Sequence, residues 1–129
     1  MSEYFGIVVE QCLKDRGQIN QFNIVGTRRG QSWTIHLVSV PEGQLDNQVS
    51  ALREGMVTND SWYAHFFRGP ELVVVFRDAV FHAGIDLATW GPVKEYGLRR
   101  GIPEEQLDFS PRTVEEAYAF VALPMPSRP

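Results

Sequence analysis

Residues 61–83 read SWYAHFFRGPELVVVFRDAVFHA, and this stretch decides the fold. Gly69-Pro70 and Arg77-Asp78 break an otherwise strand-like run into Ser61–Phe67, Leu72–Phe76 and Ala79–Ala83. Breaks this short join antiparallel strands, because a parallel crossover needs roughly a dozen residues. Leu72–Phe76 is apolar on both faces, so it is buried on both sides or covered by a partner chain. The hairpin is therefore expected at the centre of a sheet or in an interface. If both breaks are two-residue loops, Arg68 pairs with Glu71, His65 with Val74, Phe76 with Ala79 and Val73 with His82. His65 and His82 then point to opposite faces, and one extra loop residue would reverse this.

Towards the N-terminus, Tyr4–Leu13 alternates as a strand, with Phe5, Ile7, Val9 and Leu13 on one face and Tyr4, Val8, Glu10 and Cys12 on the other. Lys14–Gly30 is polar and carries Gly17, Gly26 and Gly30; within it only Phe22–Val25 has the character of a short extra strand. Ser32–Val40 is the next strand, with Trp33, Ile35 and Leu37 opposite Thr34, His36 and Val38. Pro41 is expected to open a helix. Leu45, Val49, Leu52 and Met56 draw one apolar stripe along it.

Towards the C-terminus, Asp86 and Thr89 offer N-caps for a second helix, with Pro92 in its first turn. Val93, Tyr96 and Arg100 share a face of this helix. Gly101 stands where a left-handed residue ends it, before Ile102-Pro103. Pro103–Gln106 starts a further short turn. Thr113-x-x-Glu116 is a capping-box pattern ahead of Ala117–Val121. The expected fold is α+β: a mainly antiparallel sheet of about five strands with two helices packed on one face. Residues 1–123 are expected to form one domain, and 124–129, with three prolines, a flexible tail.

Composition narrows the function classes. The chain has 129 residues, 43% hydrophobic and 22% charged, which suits one globular domain. A net charge of −4 and a pI near 5.3 argue against nucleic acid, which is gripped by basic patches. The basic doublets Arg28-Arg29 and Arg99-Arg100 read as solvated positions. Cys12 is the single cysteine, so no intrachain disulfide is possible, as suits a reducing cytoplasm. It reads as a small strand hydrophobe, with no neighbour that would activate it. The opening MSEYFG lacks the pattern of a signal peptide, and no apolar run approaches the roughly 18 residues of a membrane span.

The strings SWTIHLVSVP, SWYAHFFRG with ELVVVFRDAVF, and TWGPVKEYGLRRGIPEEQLDF resemble a family of small prokaryotic proteins. That family carries Trp-Tyr-Ala-His-Phe on a strand, here Trp62–Phe66, and Tyr-Gly-x-x-x-Gly-Ile-Pro-x-x-Gln-Leu-Asp-Phe late in the chain, here Tyr96–Phe109. The likeness runs from about Tyr4 to Phe109. The family has no assigned activity, so the resemblance implies a stand-alone single-domain protein and no mechanism.

Three constellations are candidates for chemistry. His36, His65 and His82 all lie on expected strands, and three imidazoles form a known zinc set. They lack the local spacings of strong zinc motifs, and half-buried strand histidines with one hydrogen-bonded nitrogen account for them more simply. No metal or other cofactor is expected. Tyr63 and His65 share a strand face, and Trp90, Tyr96 and Arg100 lie on the second helix. A small ligand could be held by Tyr63, His65, Tyr96 and Arg100, although core packing with polar tips explains the same residues. Ser32-Trp33-x-x-His36 recurs as Ser61-Trp62-x-x-His65, but serine and histidine four apart on a strand stand about 13 Å apart, too far for proton transfer. Burial of each tryptophan against a helix, with serine and histidine on the opposite rim, accounts for both copies without an internal repeat. Glu104-Glu105 and Glu115-Glu116 sit at helix starts, where acidic residues suit the dipole.

The expectation that follows is a cytoplasmic binding or interaction module that self-associates. Its basis is the surplus of two-sided apolar strand in LVVVF and AVF. The alternative is a small enzyme or small-molecule-binding protein using the His/Tyr/Arg pocket. Neither nucleic acid nor a membrane is expected as a partner.

Overall fold

The computed structural model describes residues 3–30, 33–58, 62–84, 87–104, 107, 109 and 114–122. Six strands form one sheet: β1 (Glu3–Val9), β2 (Asn23–Arg29), β3 (Thr34–Pro41), β4 (Tyr63–Arg68), β5 (Glu71–Phe76) and β6 (Val80–Gly84). Their order is β2-β3-β1-β4-β5-β6, and every neighbouring pair is antiparallel. Among the described residues there are three α-helices, α1 (Leu45–Gly55), α2 (Gly91–Arg99) and α3 (Val114–Ala122). The fold is α+β, as the sequence implies.

The two hairpins after α1 take the register that two-residue loops require. Arg68 pairs with Glu71 and His65 with Val74; Val73 pairs with His82; the Phe76 amide donates to Ala79 at 2.8 Å. Gly69, at φ 56, supplies the left-handed first position that a tight hairpin turn demands. Arg77 and Asp78 take no positive φ, so their turn is held by other means, described below.

The sheet has six strands rather than five. The sixth is β2, seven residues long where the sequence hinted at four, with a bulge between Ile24 and Gly26. Polar residues on β2 hid it, because an edge strand needs only one apolar face. The helices also divide between the two faces instead of sharing one. On the first face, Leu45, Val49, Leu52 and Met56 of the α1 stripe bury Tyr4, Val8, Val38, Val40, Phe66, Val73 and Val75. On the second, Val93 of α2 packs with Leu72, Val74 and Phe76, and Ala117 of α3 packs with Ile7, Leu37 and Phe67. A sheet whose central strands are apolar on both faces must be covered twice. LVVVF is therefore enclosed by this chain's own helices, and a partner chain is not needed to cover it.

The first strand stops at Val9, not Leu13. Glu10–Cys12 forms a 3-10 turn and Leu13 makes an isolated bridge with Met56. The turn breaks the alternation and buries Cys12 and Leu13 together in the α1 layer. Hydrogen bonds of 2.8 Å from Val57 N to Cys12 O and from Lys14 N to Gly55 O fix it there. Pro41 ends β3 rather than opening a helix, and a 3-10 turn over Glu42–Gln44 leads into α1. Thr89 does not cap α2; its hydroxyl accepts from Gly84 N at 3.0 Å and closes the end of β6. Gly101, at φ 89, ends α2 as expected. Asp86, Thr113 and the tail 124–129 lie outside the described residues. No helix among the described residues is long and apolar enough to cross a membrane.

Candidate functional site

The four residues singled out as a pocket do not meet at one place. Tyr63 and His65 lie on the second face of β4, which α2 and α3 cover. His65 is buried at 3% exposure, its ring centroid 6.4 Å from Tyr63 and 6.2 Å from Phe67. Tyr63 in turn meets Phe109 edge to face at 5.3 Å. These two side chains belong to an aromatic layer of the core. Phe109 takes φ 51 while fully buried, a backbone state that a bulky residue keeps only when its surroundings enforce it.

Tyr96 and Arg100 do line a concave site. It opens where the end of α1, the start of β4, the β5–β6 turn and the end of α2 converge, and its volume is about 160 Å³. Trp62, Phe76 and Tyr96 form aromatic walls, and Met56 and Val57 add apolar lining. Thr58, Arg77, Asp78 and Arg100 supply the polar groups. The Tyr96 ring rests on Phe76 at 4.7 Å and on Phe81 at 5.3 Å. The Arg100 guanidinium stands 5.9 Å over Tyr96, and its Nη2 lies 3.3 Å from Asp78 Oδ2.

Arg77 holds this site in shape. Its Nη1 donates to the carbonyls of Arg53 at 3.0 Å, Met56 at 3.0 Å and Glu54 at 3.4 Å, at and just past the C-terminal end of α1, where carbonyls run short of amide partners. A cation there also suits the negative end of the helix dipole. Arg53 Nε returns a bond to Arg77 O at 3.0 Å. The β5–β6 turn, which lacks the glycine or asparagine of a primed hairpin turn, is thus clamped from outside. Trp62, Phe76, Arg77 and Asp78 were not chosen as pocket residues from sequence. The available signal was an arginine in a tight turn, where a residue tolerant of φ > 0 is usual.

The histidines separate. His36 is buried on the first face, with Nε2 2.8 Å from Glu10 Oε1 and Nδ1 3.0 Å from Thr27 Oγ1. A carboxylate can only accept, so Nε2 carries a proton. Both ring nitrogens are engaged, one more than the sequence reading assumed. His65 points to the second face, as the two-residue loops dictate. The exposed His82 shares a face with His36, but β6 lies four strand spacings from β3, about 19 Å at roughly 4.8 Å each. Among the described residues, no group of three or more His, Cys, Asp or Glu could hold a metal ion.

The recurring Ser-Trp-x-x-His strings do not place their residues equivalently. Ser32 and Ser61 lie outside the described residues. Trp33, at 40% exposure, is not buried against a helix; it meets Trp62 edge to face at 5.0 Å. Trp62 packs on the α1 layer, while the two histidines occupy opposite faces.

At the far end of the sheet, Tyr4 Oη donates to Glu71 Oε1 at 2.6 Å. Arg68 joins Glu71 and Glu42, each at 2.8 Å, with its guanidinium 4.3 Å over the Tyr4 ring. The hydrogen bond from Tyr4 and then the contact with Arg68 hold the Glu71 carboxyl below its ordinary range. The same bond to Glu71 pushes the Tyr4 phenol up. Burial pushes the Cys12 thiol up to about 12, so it is a core side chain and not a nucleophile.

No family model, curated protein or solved structure matches the chain.

Proposed function

We propose that this protein is an interaction module that self-associates through the open edge of β6. The observation that carries this reading is the contrast between the two sheet edges. Proteins blunt exposed edges with bulges, charges or proline. The β2 edge has a bulge and ends in Arg28-Arg29. The β6 edge, VFHAG, has no bulge in its pairing with β5 and no lysine, arginine, acidic residue or proline.

The hydrogen-bond register specifies the pairing. Phe76 and Ala79 are a bonded pair, so by alternation Phe81 and Ala83 direct their backbone groups to β5, and Val80, His82 and Gly84 direct theirs outwards. Thr89 and Trp90 already engage both backbone groups of Gly84. Val80 and His82 remain, and in a two-fold antiparallel pair Val80 of each copy faces His82 of the other. The two Phe81 rings, half-buried in each chain, then become direct cross-strand neighbours on one face. An isologous pair of this kind closes on itself.

Sedimentation equilibrium and native mass spectrometry of the untagged chain test the reading. A concentration-dependent dimer is expected, and His82→Pro should return it to monomer without loss of fold, since an outward N–H is the one an edge strand can lose. A wild-type chain that stays monomeric at high micromolar concentration refutes the reading.

A further inference from the structure

Thr27, His36 and Glu10 form a chain of hydrogen bonds that goes beyond this reading, because it lies by β2, at the other end of the sheet order from β6, and needs no second copy. We infer that the three are a nucleophile, a base and an orienting carboxylate, which transfer the acyl group of a small activated ester to Thr27 and on to water.

The register brings them together. Thr27 pairs with His36, and His36 also pairs with Val8. The Gly30 amide donates to Trp33 O at 2.8 Å. By alternation Arg28 and Gly26 are then the bonded positions towards β3, and Thr27 is a non-bonded one. Side chains of a non-bonded pair approach most closely, and Thr27 Oγ1 stands 3.0 Å from His36 Nδ1. Glu10 follows Val8 by two residues and reaches the other ring nitrogen from the end of β1, with Oε1 2.8 Å from Nε2. Serine four residues along the same strand is out of reach of His36; threonine on the strand alongside is not.

The proton positions follow. Nε2 donates to Glu10, so Nδ1 keeps its lone pair and accepts from the Thr27 hydroxyl. That is the state of a base ready to take a proton from a nucleophile, with a third group holding the base. His36 is buried, whereas Thr27 is half-buried on an edge strand, so part of the threonine is open to a substrate.

In the first step Oγ1 bonds to the ester carbonyl carbon and its proton passes to Nδ1, while Glu10 balances the imidazolium. The Thr27 amide, directed outwards by the same alternation, is a donor for the oxygen of the tetrahedral intermediate. The bond to the leaving oxygen breaks, and that oxygen takes the electron pair and the proton from Nδ1. Water then bonds to the acyl carbon and gives its proton to Nδ1; the bond from carbon to Oγ1 breaks and Oγ1 recovers the proton. The products are a carboxylic acid and an alcohol. With the nucleophile's own amide as donor, the remaining barrier suits a good leaving group, such as that of an aryl ester, and not an amide.

The probe is p-nitrophenyl acetate with the full chain. Nitrophenolate release should exceed that from free imidazole at equal concentration, and acid-quenched samples should carry an acetyl group on Thr27 in peptide mass mapping. Thr27→Val keeps the branched shape that suits a strand. It should lose the adduct and slow release at least about 100-fold, the low end of what a positioned acid–base group contributes. Thr27→Ser should keep both. Glu10 is a positioning residue: Glu10→Gln should lower the acylation rate constant about 100-fold and leave the half-saturating ester concentration unchanged. Urea midpoints report whether each variant is folded, and the adduct on wild-type Thr27 is read without any variant. Release that survives Thr27→Val, acetyl groups only on other side chains, or no release beyond that of imidazole would each overturn the assignment, because a merely structural chain of bonds gives those results.

Discussion

Trp33 and Trp62 meet edge to face, with ring centroids 5.0 Å apart and planes at 73°. They stand just before β3 and β4, which β1 separates, and β1 pairs no further than Val9 with Ile35. The rings therefore meet across the end of the central strand. Aromatic pairs of this geometry contribute about 0.5–1.5 kcal/mol beyond burial. A double-mutant cycle of Trp33→Ala and Trp62→Ala, read from urea midpoints, should return a coupling in that range. A coupling of zero would mean that the contact does not form in solution.

How much of this was legible follows from what each feature depends on. The β4–β5–β6 register was legible because Gly69-Pro70 and Arg77-Asp78 fix loop lengths, and loop length fixes which face His65 and His82 occupy. The α1 stripe was legible because Leu45, Val49, Leu52 and Met56 repeat at helical spacing. The cleft was not, since Trp62, Arg77 and Arg100 are far apart in sequence and meet only once α1 and α2 cover opposite faces of the sheet. Tyr63 and His65 misled because β4 is buried on both sides, so a polar aromatic residue on it marks core as readily as a site. The 3-10 turn at Glu10–Cys12 left no period for alternation to detect.

Arg77 should be worth more than a surface arginine. Its Nη1 serves carbonyls of Arg53, Glu54 and Met56, and hydrogen bonds from a charged donor contribute about 1.5–3 kcal/mol. Arg77→Ala should lower stability by about that amount in urea titration. Arg77→Lys should recover only part of it, because an ammonium cannot reproduce the planar fork. A loss below about 0.5 kcal/mol, the usual range for surface substitutions, would show that the turn holds itself.

Cys12 should resist thiol reagents in the native chain and react only through unfolding. Its thiol is raised from 9.0 to about 12 by burial. Above about pH 9 the unfolded chain loses this proton while the folded chain keeps it, so stability falls as pH rises, by about 1.4 kcal/mol per unit, until about pH 12. Other groups titrate there as well. The measurement is therefore the difference in slope between wild type and Cys12→Ala, with wild type the steeper. Equal slopes, or rapid modification of the native thiol at pH 8, would contradict its burial.

The network of Tyr4, Glu71, Arg68 and Glu42 gives the opposite dependence at acid pH. Glu71 is held below its ordinary 4.5, first by the Tyr4 hydroxyl and then by Arg68. As pH falls below 4.5 the unfolded chain takes up the proton before the folded chain does. The stability contributed by Glu71 is thus present above that value and lost as pH drops through the folded pKa. The carboxylate is half-exposed, so the effect is small and fades with salt. Glu71→Gln should be slightly less stable than wild type at pH 7 and equal to it near pH 2. The same variant should lower the titration of the Tyr4 phenol, whose upward shift comes first from its bond to Glu71. Absorbance of the ionised phenol, compared between wild type and Glu71→Gln with Tyr4→Phe as the reference, separates this from a general loss of stability. An unchanged Tyr4 titration would show that the 2.6 Å bond does not persist in solution.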